Sequence, residues 1–257
     1  MTKNYRNLVK KHYKKEAKEH GQALSSTMAD LTTRRLEIEN IVSYLKDGEK
    51  ILEVGCGNGG GSIEISKVKK IDLTCIDFSH ELIELALKQS TKGVRGKIKF
   101  QEQDILMLNI KNKFDSVFTE RCIINLMNWE DQKKSLKNMS GALRKGGKLI
   151  LLEAYKDGLG ELNRAREEIG LSLIPPAYHN LHLDKNLVTD FLGKEKLKFV
   201  EENNFLSSHY FGSRILYPAL ARVANKEVVY NSAFSSFFAS LPPCGNYAHI
   251  KILVFKK

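Results

Sequence analysis

Short apolar runs alternate along this chain with segments whose apolar residues recur every three or four positions. The runs near 50–54, 72–77, 97–101, 114–119 and 147–154 have the length and β-branched content of buried strands. The segments near 60–69, 79–90 and 130–144 have helical spacing. Strands that alternate with helices predict a parallel sheet covered on both faces, the α/β class. Ser79 and Asn128 stand where N-caps belong, Gly146 stands where a glycine would stop the third of these helices, and Trp129 is placed to anchor it.

Outside this alternation the pattern changes. Residues 1–46 read as helical, with Ile38, Ile41, Val42 and Leu45 forming a stripe to bury on a sheet, and Gly21–Thr33, rich in small polar residues, reads as a flexible lid. Tyr155–Asp184 is irregular and gathers Pro175, Pro176, Tyr178, His179 and His182, as an inserted substrate cap would. Residues 185–194 read as a helix, 197–206 as a sixth strand, His209–Arg222 as a second polar and aromatic cluster, and His249–Phe255 as a terminal strand. The expected organisation is a helical N-terminal lid (1–46), a ligand-binding core (47–155), a cap (156–196) and C-terminal strands that complete the sheet (197–257).

Composition narrows the class. The 257 residues suit one core with an added lid, and 42% hydrophobic content supports a packed globule. No apolar run reaches transmembrane length and the first residues lack an apolar signal core, so the expectation is a cytoplasmic protein that keeps off the membrane. Cys56, Cys75, Cys122 and Cys244 fit neither a metal knuckle nor a dense disulfide frame and read as reduced thiols. A net charge of +11 admits nucleic acid, membrane surface or small anions as partners. Lys10, Lys11, Lys14, Lys15 and Lys18 read as a solvated helix face, because only Tyr5 and Tyr13 interleave with them as stacking platforms. A small, anionic acceptor is compatible with the charge, nucleic acid is disfavoured, and oligomeric state has no signature.

The sharpest chemical signal is Ile51-Leu52-Glu53-Val54-Gly55-Cys56-Gly57-Asn58-Gly59. Glycines let the backbone turn tightly beside a ligand, and the following helix offers a partly positive N-terminus. Gly55, Gly57 and Gly60 also satisfy a dinucleotide fingerprint, yet Glu53 would repel a pyrophosphate. An ammonium group would be welcome there. S-adenosylmethionine carries one and no phosphate. Asp77 ends the next strand about 20 residues after the first glycine, where a carboxylate reaches ribose hydroxyls. Phe78 is placed against adenine, and Asp104 and Ile105 to hold its amino group and cover its face.

These residues resemble the ordered motifs of class I S-adenosylmethionine-dependent methyltransferases. The likeness runs over roughly residues 30–155, through Glu53-x-Gly55-x-Gly57-x-Gly59, Asp77, Gln103-Asp104-Ile105, Phe114–Phe118 and Leu143–Gly147. It implies a Rossmann-like, doubly wound, seven-stranded and mostly parallel sheet whose last strand slots in antiparallel. It also implies a cofactor site made of Glu53, Gly55, Cys56, Gly57, Asn58, Gly59, Asp77, Phe78, Asp104, Ile105 and Glu120, with S-adenosylhomocysteine as product. Arginines precede the first strand in several such families, and Arg35 is the candidate for the methionine carboxylate, a salt bridge to Glu37 or Glu39 being its other reading. Glu120–Leu126 and Ile174–Asn180 look like methyltransferases of bacterial surface-polysaccharide clusters, including those linked to O-methyl phosphoramidate.

The fourth strand's tip, Thr119–Cys122, is expected to face the transferred methyl. Arg121 would orient an anionic acceptor and Glu120 would sit near the cofactor's cationic end, unless the two merely pair with each other. Candidate bases are His12, His179, His182 and His209, with His179 and His182 ranked first because they share the cap. Only Asp184 stands near them as a further ligand, so no metal is expected. His12, Tyr13, Tyr178, Tyr210 and Arg214 join Arg121 as acceptor contacts, with helix packing as the alternative for Tyr210, Arg214 and Tyr217. The leading expectation is O-methylation of a small polar acceptor such as a sugar, nucleotide or phosphoramidate intermediate. Competing readings are an RNA or other nucleic-acid methyltransferase, a non-catalytic cofactor-binding partner subunit and an NAD-dependent oxidoreductase. The first lacks Asn/Asp-Pro-Pro-aromatic or Pro-Cys after the fourth strand, and the last lacks Tyr-x-x-x-Lys.

Overall fold

Seven apolar runs of the chain pair into one sheet. The computed structural model describes residues 2–21, 30–229 and 231–257. Among these the order begins α1 (Thr2–His20), α2 (Leu31–Tyr44), β1 (Lys50–Val54), α3 (Gly60–Val68), β2 (Asp72–Asp77), α4 (His80–Leu87), β3 (Lys97–Glu102), β4 (Phe114–Glu120), α5 (Trp129–Ala142) and β5 (Leu143–Ala154). It continues with α6 (Lys156–Glu168), α7 (Lys185–Lys194), β6 (Lys198–Asn203), α8 (Ser207–Tyr210), a π-helical segment Phe211–Leu216, α9 (Tyr217–Val223), α10 (Ala233–Ala239) and β7 (Ile250–Lys256).

The strands lie in the order β3-β2-β1-β4-β5-β7-β6, parallel except for β7, which runs antiparallel between β5 and β6. Side-chain chemistry dictates that order. Ile51, Leu52, Val117, Phe118 and Leu149–Leu152 are fully buried in the central strands, whereas the charged, exposed β3 and β6 form the edges and discourage further pairing. Lys251 on β7 is fully buried, and its ammonium offsets the cost of desolvation by reaching Asp157 and Glu202 at 2.7 Å each. Strand order reverses between β1 and β4, which opens a crevice at their carboxyl ends. Among the described residues no helix is long and apolar enough to cross a membrane.

Several boundaries differ from the sequence reading. The N-terminal helical stretch is two helices. Within the expected lid Gly21–Thr33, residues 22–29 lie outside the described residues, while Asp30 caps α2 by accepting from the Thr33 amide at 2.9 Å. Gly146 does not stop α5. That helix ends at Ala142, Leu143 is already extended, and Gly146 (φ +78) bends β5 four residues into the strand. The cap is less irregular than expected, because Lys156–Glu168 is a helix. Gly158 and Gly160 obscured its apolar stripe, yet Gly158 is required because a Cβ there would overlap the Ala248 carbonyl. The strand expected at 197–206 covers only Lys198–Asn203. Ser79 and Asn128 cap α4 and α5, and Asp184 caps α7. Trp129 packs edge-on against Phe191 of α7.

Candidate active site

From the end of β1 the chain turns through Gly55, Gly57 and Gly59 with φ of +82°, +56° and +77°, a conformation that strains any residue with a Cβ. A Cβ on Gly55 would stand 2.5 Å from Cys122 Sγ, so the turn lies directly against the tip of β4. Asp77 at the end of β2 accepts the Gly57 amide and the Ser79 amide, each at 2.9 Å, and so fixes the turn to the next strand. Burial raises its pKa, and the backbone donors of Ser79 and Gly57 oppose that shift. Gly55, Cys56, Gly57, Asn58, Asp77, Phe78, Asp104, Ile105, Glu120 and Arg121 all line one cleft. Asp104 also caps the short turn Ile105–Met107 by accepting the Leu106 amide at 2.9 Å.

A buried ionic cluster forms the wall between α2 and β4. Arg34 donates to Glu120 at 2.8 Å and to Glu37 at 3.2 Å, while Arg121 Nε lies 2.8 Å from Glu37. Burial opposes the Arg34 charge, but Glu120 and Glu37 outweigh it and raise the pKa further. Gly61 on α3 makes room, since a Cβ there would overlap the Arg34 guanidinium. Arg35 takes its other reading: it faces outward, outside the cleft lining, and pairs with Glu39 at 2.8 Å, while Arg34 lines the cleft, because successive helical residues point about 100° apart. Glu53 is buried behind the turn, outside the cleft lining, and burial together with Glu120 pushes its carboxyl up to about 7. Glu120, though largely buried, does line the cleft and so takes the ligand-facing acidic position expected of Glu53.

Past Glu120 the backbone takes a left-handed step at Arg121 (φ +54°), uncommon for a residue with a side chain. Glu153 of β5 stabilises that turn by accepting the amides of Cys122, Ile123 and Ile124 at 3.0, 3.0 and 3.3 Å. Burial raises its carboxyl to about 7 against those donors. Sequence reasoning missed Glu153. Its only signal was one carboxylate at the end of the run Leu149–Leu152.

α1 lies across the cleft mouth. Arg6 pairs with Asp104, Tyr5 donates to Asp131, Lys14 pairs with Glu81 at 2.9 Å, and Tyr13 donates to Asn125 at 3.2 Å. His12 stacks on His179 with ring centroids 3.9 Å apart and meets the Tyr178 hydroxyl at 3.1 Å. His182 lies elsewhere, stacked at 5.3 Å on His249, which in turn meets Tyr210 at 5.3 Å. The two cap histidines therefore belong to separate clusters. Burial lowers both to about 4, so both imidazoles are neutral at pH 7. Arg214 stands 5.2 Å from the Tyr210 ring and holds Asp30 at 2.6 Å, and His209 bridges Asp30 and the Ser235 carbonyl in the interior. Tyr217 packs on Phe234. Among the described residues, no three His, Cys, Asp or Glu side chains gather as a metal site.

The left-handed glycine cradle, the buried acidic and basic wall and the aromatic Phe78 fit a nucleoside joined to a zwitterionic amino acid. Residues 45–199, more than half of the chain, match a family model described as a methyltransferase domain. An O-methyltransferase of Pyrenophora dematioidea is 30% identical over 132 residues, which cover 50% of this chain and 48% of that protein. Phosphoethanolamine N-methyltransferase 2 of Caenorhabditis elegans is 30% identical over 117 residues, 45% of this chain and 26% of that protein. The chain thus spans about half or less of the length of these curated relatives. Magnesium protoporphyrin IX methyltransferase from Synechocystis PCC 6803, solved with bound SAM, superposes with a TM-score of 0.60 over 99% of this chain and 97% of that one, at 11% identity. Haemonchus contortus phosphoethanolamine N-methyltransferase 1, solved with phosphoethanolamine and S-adenosylhomocysteine, gives 0.63 over 100% of this chain and 49% of that one, at 16% identity. At these identities the structural likeness speaks to the fold, while the family model speaks to descent, and on that ground the chain belongs to the methyltransferase domain family.

Proposed function

We propose that this protein transfers a methyl group from S-adenosylmethionine to an oxygen of a small, polar, anionic acceptor. The observation that carries the reading is the shared cleft, which Gly55–Asn58 of the glycine turn, Asp77, the Arg34–Glu120 pair and Arg121 line together. Glu120 would receive the methionine ammonium and Arg34 the carboxylate. Asp77 would take the ribose hydroxyls, and Phe78, Asp104 and Ile105 the adenine. The bound cofactor supplies a methyl already activated by positive sulfur, so the chain's task is alignment, worth roughly 7–11 kcal/mol in favourable intramolecular cases.

Arg121 would hold the acceptor, with Tyr13 and Asn125 closing over it. Histidines kept neutral with pKa values near 4 are weak bases, which favours an acceptor oxygen that enters already ionised. The likeness of Glu120–Leu126 and Ile174–Asn180 to surface-polysaccharide methyltransferases supports a sugar, nucleotide or phosphoramidate acceptor. Methylation of an amine on a phosphate-bearing acceptor is the second reading, favoured by the similarity to phosphoethanolamine N-methyltransferases. Calorimetry with S-adenosylhomocysteine and NADH tests the cofactor: binding of the first alone is expected, and binding of NADH alone would reject the assignment. Mass spectrometry of products from candidate metabolites then separates O- from N-methylation.

A further inference from the structure

Three irregularities lie beyond Arg121, toward the ends of β5 and β7. His182 and His249 stack nearly parallel, 11° apart, and the Nδ1 atom of each is buried with no hydrogen-bond partner among the described residues. Asn180 Oδ1 and His179 Nδ1, on the same cap segment, are also unpartnered. Buried polar atoms left unsatisfied cost about 1–3 kcal/mol each, so the two Nδ1 atoms of the stacked His182–His249 pair point to a polar partner that the fold expects. His182 is only 7% exposed, which rules out bulk solvent as that partner.

The second irregularity is the π-helical segment Phe211–Leu216, a rare form that recurs at functional sites. It follows Tyr210 immediately and aims Arg214 over the Tyr210 ring. The third is the left-handed Arg121, whose backbone strain is held by Glu153. The three are linked through His249, which stacks on His182, meets Tyr210 and feels the charges of Arg214 and Arg121.

Charge identifies the missing partner. Around the imidazole pair, the ionic groups that act on it are Lys156 at the start of α6, and Arg121 and Arg214 from the β4 turn and the π segment. All three are cations. Tyr210 is the remaining titratable neighbour, and the carboxylates nearby are Glu37, held by Arg121, and Asp30, held by Arg214. Two neutral imidazoles with unpartnered Nδ1 atoms, beside a phenol and fenced by cations, match the donors an oxyanion needs.

We infer that His182, His249 and Tyr210, flanked by Arg121 and Arg214, form the acceptor subsite, and that it captures an oxyanion group of the acceptor with uptake of a proton by the imidazole pair. This rests on the methyltransferase reading for the word acceptor, but not for the anion itself. Burial now keeps both histidines neutral, at about 4 for His182 and about 3 for His249. An anion beside them would reverse that balance, because opposite charge favours the protonated ring. His249 is a residue that the sequence pattern did not single out, and the pair becomes a positioning device that changes charge only when the right group arrives.

The test follows histidine ring signals by NMR as pH is lowered, on the full chain loaded with S-adenosylhomocysteine. Three series are compared: no added anion, inorganic phosphate, and acetate. His182→Asn and His249→Asn assign the two signals, and if either variant fails to fold, the cross-peak between the stacked rings serves instead. Both titration midpoints are expected to climb by roughly 1–3 pH units with an oxyanion present. A rise with phosphate alone assigns a phosphate-bearing acceptor, and a rise with both assigns oxyanions in general. Midpoints that ignore both anions overturn the inference. If S-adenosylhomocysteine does not bind yet phosphate still moves the midpoints, the methyltransferase reading falls and the anion site stands.

Discussion

Arg34 and Glu120 meet at 2.8 Å, joining the first turn of α2 to the tip of β4 across the cofactor wall. Neither side chain has more than a tenth of its surface in water, so the pair is sheltered from screening. Arg34→Ala would leave Glu120 and Glu37 facing one another with one cation fewer. It is expected to cost about 3–5 kcal/mol of folding stability, as breaking a buried pair does. Thermal denaturation measures the loss, and Arg35→Ala, which removes only an exposed pair, should stay within about 1 kcal/mol of wild type.

Gly61→Ala sets two effects against each other. Alanine gains up to about 1 kcal/mol over glycine in a helix interior and less in the first turn, where Gly61 stands. Here the new methyl would overlap the Arg34 guanidinium, which is pinned by two carboxylates and cannot swing aside cheaply. The steric effect should win. Calorimetry is expected to show weakened S-adenosylhomocysteine binding, and unchanged affinity would mean that Arg34 has room to move.

Asp77→Ala is expected to weaken S-adenosylhomocysteine binding by about 1–3 kcal/mol through loss of a charged acceptor. The same change orphans the Gly57 and Ser79 amides, so Asp77→Asn, which keeps an acceptor oxygen, separates the two contributions. Asparagine should restore the melting temperature more fully than the affinity.

Glu153 predicts a pH dependence. Its folded pKa, about 7, lies above the ordinary 4.5 of an unfolded glutamate. The folded state therefore binds the proton more tightly, and this contribution is fully present below about 4.5 and lost as pH rises through about 7. The window carries on the order of 3 kcal/mol. Glu153→Gln keeps one oxygen for the Cys122 and Ile123 amides, loses the acceptor of Ile124 at a pH-independent cost, and should flatten the melting temperature across that window. A slope equal to wild type would assign the titration to another group.

Arg121→Ala should raise the acceptor KM far more than it weakens S-adenosylhomocysteine binding, since Arg121 is proposed to hold the acceptor and Arg34 the cofactor. Steady-state kinetics beside calorimetry gives both numbers. Equal effects would return Arg121 to a structural role as the partner of Glu37.

Periodicity made the sheet legible, because buried parallel strands read as unbroken apolar runs and the glycine turn advertises its own backbone. Long-range pairing was not legible. Nothing local says that Arg34 rather than Arg35 faces the cleft, that Glu120 lines it while Glu53 lies behind, or that His182 faces His249 from 67 positions away in the chain. The helix Lys156–Glu168 escaped for the opposite reason: Gly158 is there to pass Ala248, and a tertiary requirement overrode a local signal.

The fastening of α1 carries a kinetic consequence. Tyr5, Arg6, Tyr13 and Lys14 attach that helix to α5, the β3–β4 connection, the turn after β4 and α4, so its ties reach four separate parts of the molecule. Tyr5, Arg6, Val9 and Tyr13 line the cleft, so a spent nucleoside held there as proposed would depart past this helix. Under the proposed function, turnover at saturating substrate is expected to be paced by that departure, and cutting a single tie, such as Lys14 to Glu81, to quicken the cycle while loosening the grip on the ligand.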